Sequence, residues 1–326
     1  MSDLPSGQVG VLVMAHGTPA DPSGIEAFYT RIRHGRHPSA EQLAELVGRY
    51  EAIGGTSPLA ARTAAQVAGI AAALEAAEPG RFLVRFGAKH TDPLIEEAAS
   101  ELASAGVCQV VGIVLTPHRA SMGSDEYLER AAAALGSAPT PPPLVRVPQW
   151  YDAPGFADLV AERVLAALGG LGSSGDRAAT VLFTAHSLPE RVIAAGDPYP
   201  GQVAASAEAV AALAGLSERG IRWEVAWQSA GRTPEAWIGP DVLDVVRRLG
   251  AEAREARTDG AVVICPIGFV TDHLEVLFDV DIEARRVADA EGLALVRTAS
   301  LNDDPRFCAV VAGAVRSAAH AAAGAA

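Results

Sequence analysis

Three groups of side chains have types and spacings that could do chemistry. His186 stands directly after an apolar run, TVLFTA (180–185), and directly before SLPERV. Farther on, GFVTDHLEVLFDVDIEAR (268–285) carries Glu275, Asp279 and Glu283 at i, i+4 and i+8. On an α-helix that spacing stacks three carboxylates on one face, and like charges so placed repel. Val276, Leu277, Phe278, Val280 and Ile282 lie among them, so the expected helix is largely buried rather than a solvated acidic face. A path for a divalent cation gives such a row a reason to exist. Imidazole with carboxylates suits borderline metals such as Fe(II), Co(II) and Zn(II). HExxH or three-His zinc spacing is missing, which disfavours a hydrolytic zinc enzyme. The third group is RIRHGRHP (31–38), where Arg31, Arg33, Arg36, His34 and His37 form the densest cationic patch, followed by Arg49 and Tyr50. Guanidinium groups bind carboxylates bidentately. A solvated helix end is the plainer reading of the same patch.

These groups need elements to position them. Short β-branched runs alternate with longer Ala-rich segments. VGVLVMA (9–15), RFLVRFGA (81–88) and CQVVGIVLTP (108–117) read as strands, 59–77 and 94–106 as helices. That alternation predicts βαβ units and parallel sheets covered on both faces. A proline cluster and short strand at 138–156 interrupt the pattern, a helix follows at 154–168, and 168–179 reads as a flexible surface loop. A second series then opens at 180–185 and continues through WEVAWQS (223–229), AVVICPI (261–267) and LALVRTA (293–299). The expected boundary lies near 150, giving halves 1–150 and 151–326, with the last helix able to pack back on the first. VLVMAHGTP (11–19) and VLFTAHSLP (181–189) align without gaps, and later in each half a strand ends in a proline turn, at 110–118 and 261–269. Such self-similarity predicts a duplicated α/β half. Ligands of open parallel sheets bind beyond the carboxyl ends of the strands. His16, His118, His186 and the turn 266–275 all fall there, and are expected to converge on one cleft between the halves. Neither GxGxxG nor GxxxxGK[ST] occurs, so no dinucleotide or nucleotide phosphate loop is signalled.

Composition narrows the classes further. The 326 residues carry 26 Lys and Arg against 39 Asp and Glu, a formal charge of −13. That field argues against nucleic acid or an anionic membrane as partner. Lys89 is the only lysine, so nearly all positive charge is arginine. High-GC codon usage explains most of that bias. The three cysteines, Cys108, Cys265 and Cys308, form no CxxC pair. A low, odd count fits a reducing cytoplasm. The first residues lack a signal-peptide pattern, and no run of about 20 apolar residues predicts a membrane span.

In this setting the chain resembles the ferrochelatase family. VLVMAHGTP, RYEAIGGTSPL (49–59), TAHSLPERV with GDPYP, VAWQSAGRTPEAWIGPDV (225–242) and CPIGFVTDHLEVLFDVDIE are similar to family segments, in the family's order. The likeness is strongest to the water-soluble, monomeric coproporphyrin-type members of Gram-positive bacteria. It implies two Rossmann-like, chelatase-type halves with parallel sheets and an active-site cleft between them. It implies a lyase-class enzyme that inserts Fe(II) into a porphyrin with loss of two pyrrole protons. By position, His186 and Glu275 match the family's catalytic and metal-site pair, and Asp279 and Glu283 the acidic row that delivers metal. Arg33, Arg49, Tyr50, Ser57 and Tyr127 match tetrapyrrole contacts. His16 stands where the soluble bacterial members usually have a tyrosine that approaches iron from the opposite face, and is expected to take that role.

The cationic lip suits the four propionates of coproporphyrin III better than the two of protoporphyrin IX, so the expected product is iron-coproporphyrin for haem biosynthesis. Fe(II) is substrate; no prosthetic group is implied. The tail RSAAHAAAGAA has no cysteine, and three scattered cysteines cannot supply an all-cysteine four-ligand iron–sulfur cluster, so none is expected. The resemblance implies a cytoplasmic monomer without stable membrane association, meeting neighbouring haem-pathway enzymes only transiently. Rival readings are a protoporphyrin IX ferrochelatase, a cobalt chelatase for a corrinoid precursor, a non-catalytic porphyrin or haem carrier, and a two-lobed periplasmic-type binding protein. The carrier would need neither His186 nor Glu275 and its acidic row. The binding protein is weakened by the missing signal peptide.

Overall fold

Parallel strands buried on both faces must be apolar almost throughout, and β1 (Val9–Ala15) meets that demand with seven buried residues. The computed structural model describes residues 7–171, 178–231 and 234–324. Among these, β1 pairs with β2 (Phe82–Ala88) and β3 (Gln109–Val114), and β4 (Leu144–Val147) extends the sheet in the order β2-β1-β3-β4. The second sheet repeats this plan. β5 (Ala178–His186) is flanked by β6 (Arg222–Gln228) and β7 (Gly260–Cys265), with β8 (Ala294–Arg297) beyond, in the order β6-β5-β7-β8. All six strand pairings are parallel. The gapless sequence repeat holds in register. Val11 faces Val84 and Val111, and its counterpart Val181 faces Trp223 and Val263.

The chain divides into two compact units, Met1–Ala153 with Asn302–Ala326, and Pro154–Leu301. In the first, Leu12, Met14, Ile95, Leu102, Val110 and Leu128 form a core between the sheet and its helices; in the second, Leu182, Val246, Leu249, Val262, Ile264 and Val280 do so. The helix Phe156–Gly170 claims the first residues of the segment read as a loop at 168–179; 172–177 of that segment lie outside the described residues.

The last helix, Pro305–Gly324, belongs with the first unit. By length and composition it could cross a membrane, with a mean hydropathy of 1.3, although no such span was expected from the sequence. Arg306, Arg316 and His320 break its apolar run, which hid it from a search for uninterrupted stretches. Here Phe307, Cys308, Val311, Val315 and Ala319 are buried. Arg316 and His320 both reach Glu78, beyond the helix Leu59–Ala77, at 2.7 and 3.0 Å. The two helices pack very closely at Gly69, where a Cβ would lie 2.6 Å from the Cys308 sulfur and 3.1 Å from its Cβ.

His118, expected at a ligand-facing sheet edge, is instead only 1% exposed and stacks on Tyr151 with ring centroids 5.7 Å apart. Burial pushes its imidazole down to about 3, so it is a neutral core side chain.

Two outcomes follow from this packing. A glycine inside a helix is normally improved by alanine, by up to about 1 kcal/mol. Gly69→Ala should instead destabilise by about 1–3 kcal/mol through overpacking, and adding Cys308→Ala should recover most of the loss, read from urea midpoints. The second outcome concerns pH. Unfolded histidine takes up a proton near pH 6.5, whereas folded His118 resists until about 3. Stability therefore falls as pH drops through that window. Between pH 6.5 and 5 the wild type should lose about 1–2 kcal/mol more than His118→Phe, measured by the same denaturation.

Candidate active site

His186 is the last residue of β5, so its backbone is fixed by the sheet while its ring projects from the carboxyl edge. Its Nδ1 lies 2.6 Å from the Ser187 carbonyl oxygen. A carbonyl only accepts, so Nδ1 carries the proton and Nε2 presents its lone pair. That Nε2 is 3.7 Å from Glu275 Oε1. The gap is too long for a hydrogen bond. Two donors each roughly 2.1 Å from one ion can be at most about 4.2 Å apart, so this pair can share a single metal ion.

Glu275 ends the turn that leaves β7. The turn lies hard against β5: Gly268 N–H donates to Thr184 O at 3.1 Å, and a Cβ on Gly268 would sit 2.6 Å from that of Ala185. Only glycine permits that approach. Buried Gln228 adds a second tie. Its carboxamide accepts from Thr184 Oγ1 at 2.8 Å and donates to the Glu275 carbonyl at 3.4 Å.

Two side chains not singled out from the sequence join the pair. His273 Nδ1 lies 2.9 Å from Thr271 O, which leaves its Nε2 facing Glu275 Oε2 at 3.7 Å. The carboxylate thus has an imidazole on each oxygen. Tyr199 is buried, and burial together with the charge of Glu275 pushes its phenol up, so the ring stays protonated. The DHLE and GDPYP motifs contained both residues, but neither motif states a distance.

The acidic row differs from the expected α-helical stack. Val276–Ala284 is wound as a π-helix. Asp279 is 6% exposed and accepts a short hydrogen bond from Ser229 Oγ, while Glu283 is half-buried. Among the described residues, no three His, Cys, Asp or Glu side chains converge as a metal cluster. The His186–Glu275 pair is brought together; Asp279 and Glu283 line the same helix without closing on it.

In the first unit, His16 directly follows β1 and repeats the device of His186. Its Nδ1 lies 3.2 Å from the next carbonyl, that of Gly17. Gly17 has φ +85°, and a Cβ there would meet Thr91 Oγ1 at 2.3 Å. The His16 ring packs on His90 at 4.7 Å and edge-on to Phe28 at 5.8 Å. Arg33 lies over the Tyr29 ring at 5.5 Å, and its Nε donates to Arg36 O. The helix Ala40–Ala52 opens with a Ser39–Gln42 capping box and carries Arg49 and Tyr50 in its last turn. Arg49 lies 3.7 Å from Glu45. Tyr50 is buried, its hydroxyl 3.2 Å from that of Thr18. Ser57 is buried too and accepts the Leu59 N–H at 3.3 Å, starting the next helix. Tyr127 is 7% exposed, with the Lys89 ammonium over its ring at 5.0 Å.

Comparison with known proteins completes the assignment. The ferrochelatase family model matches residues 8–319. A coproporphyrin III ferrochelatase of Anoxybacillus flavithermus is 43% identical over 311 residues, covering 94% of this chain and 95% of that protein. One of Geobacillus thermodenitrificans is 42% identical with the same coverage. Bacillus subtilis SirB, solved with Fe3+, shares the fold at a TM-score of 0.57 and 12% identity, covering 97% of this chain and 98% of its own. A family model matched over residues 8–319 and relatives above 40% identity along most of both chains leave one assignment: the chain belongs to the ferrochelatase family.

Proposed function

We propose that this protein is a lyase-class metal chelatase that inserts Fe(II) into coproporphyrin III, giving iron-coproporphyrin for haem synthesis. The observation that carries the reading is the 3.7 Å His186–Glu275 pair at the carboxyl edge of the second sheet, in a chain similar along its length to coproporphyrin III ferrochelatases. In the neutral ring His186 Nε2 bears the lone pair, which can accept a pyrrole proton or ligate iron, one at a time. Glu275 holds iron and exchanges protons with His186. For each Fe(II) that enters, two protons leave. Asp279 and Glu283 would guide hydrated metal along the π-helix.

In the first unit, Arg33 and Arg49, with the hydroxyls of Tyr50, Ser57 and Tyr127, are the proposed contacts for the tetrapyrrole. The arginines suit propionates, and the hydroxyls hold their local frame. Distortion of the ring, which exposes the nitrogen lone pairs, is sustained by such remote binding energy. His16 is the proposed axial ligand on the other ring face. Fe(II) is substrate in this scheme and no iron–sulfur cluster takes part. The same reading carries a cytoplasmic enzyme acting as a single chain, in passing contact with neighbouring enzymes of the pathway.

An anaerobic assay with Fe(II) at equal free porphyrin should give faster turnover with coproporphyrin III than with protoporphyrin IX. His186→Ala should lose at least about 100-fold in kcat/KM, the scale of one acid–base residue. Faster protoporphyrin turnover would overturn the substrate, and undiminished insertion by the variant would overturn the mechanism. His16→Ala should bind iron-coproporphyrin with an altered visible spectrum; an unchanged spectrum removes His16 as axial ligand.

A further inference from the structure

Arg297 closes β8, and no part of the reaction just described uses it. Its side chain is 14% exposed, yet among the described residues its hydrogen bonds run to the segment around Glu275 and to its own strand end. Nε and Nη2 donate to both oxygens of Asp281 at 2.8 and 2.9 Å. Nη1 donates to Asp272 Oδ1 and to the Thr298 carbonyl, both at 3.1 Å. Nη1 also reaches Ser300 Oγ at 3.3 Å, and that hydroxyl donates to the same Asp272 oxygen at 2.7 Å. Burial alone would push the guanidinium down, but the Asp281 and Asp272 contacts outweigh it and hold it up.

The placement of the two acids gives this clamp a function. Asp272 lies three residues before Glu275, in the turn. Asp281 lies six residues after it, in the π-helix. One rigid, planar group anchored on β8 therefore fixes the chain on both sides of the carboxylate. A fork with this geometry transmits position as well as charge, which an ammonium cannot do. Gln228, at the end of β6, holds the Glu275 carbonyl. Glu275 is thus held from β6 and β8, the two edge strands of this sheet, and its reach toward His186 is set by both.

We propose that Arg297 is a positioning residue for Glu275, setting the carboxylate at metal-sharing distance from His186 by clamping both flanks of its segment. The inference rests on the reading of His186 and Glu275 as the metal pair. It is tested by metal binding rather than turnover, so that the two stand or fall separately. The probe is Co(II) alone, titrated into the full chain and followed by visible absorption. Arg297→Met should weaken Co(II) binding by about 10-fold, the scale of a lost outer-shell partner, and should alter the absorption band. Glu275→Gln should weaken it at least as much. The double variant should bind no more weakly than Glu275→Gln alone, since Arg297 acts through that carboxylate. Coproporphyrin III affinity, from fluorescence quenching, should stay within about twofold, and Arg297→Lys should recover little because it cannot form the fork.

Additive losses in the double variant, unchanged Co(II) affinity in Arg297→Met, an equal loss of porphyrin affinity, or a wild type that binds no Co(II) would each overturn the proposal. If Arg297→Met does not fold, Asp281→Asn opens one arm of the clamp and is read by the same criteria. A wild type that shows this Co(II) pattern yet inserts no Fe(II) would sink the proposed reaction and leave the positioning role standing.

Discussion

The pairing of β5 with its two neighbours is the constraint on which the second unit's chemistry depends. β6 brings Gln228 alongside His186, and β7 launches the turn that returns to Thr184 through Gly268. His186 and Glu275 are 89 residues apart in the chain, yet both are fixed to the end of one strand. Register errors in a parallel sheet would move every one of these groups together, so the site inherits its precision from the buried ladder. The side chains then add directional detail: carbonyl contacts choose the imidazole tautomer, and the carboxamide of Gln228 holds the glutamate backbone.

Much of this was legible in the sequence. β1 and β5 are apolar throughout because both faces are covered, and a run of that kind is hard to mistake. The repeat at 11–19 and 181–189 held because paired strands preserve register, and it placed His16 and His186 equivalently. Glu275 was singled out by its motif and by the spacing of its acidic row. What escaped was anything set by contact across the fold. Arg297, Gln228, His273 and Tyr199 have no periodic spacing relative to Glu275, and their meaning lies in distances. His118 was misjudged since position at a strand end does not reveal whether a side chain turns toward solvent or under Tyr151. The acidic row kept its order but not its winding, because i, i+4 spacing cannot separate an α-helix from a π-helix.

Charge shows the same limit. A formal charge of −13 says little about where acids and arginines meet. Arg31 pairs with Asp92, Arg130 with Glu96, and Arg297 with two aspartates. Many of the arginines thus serve as counter-ions within the fold. Exposed pairs of this kind add little stability. The part-buried ones around Glu275 matter more through the geometry they impose than through their net energy.

The return of the helix Pro305–Gly324 to the first unit also bears on how the protein is made. The first unit's core needs residues from both sides of 154–301, whereas the second is continuous in the chain. On the ribosome, where segments fold as they emerge, the second unit is complete while the first still lacks its final helix. Gly69 and its neighbours on Leu59–Ala77 therefore wait, uncovered, for more than 230 residues of synthesis.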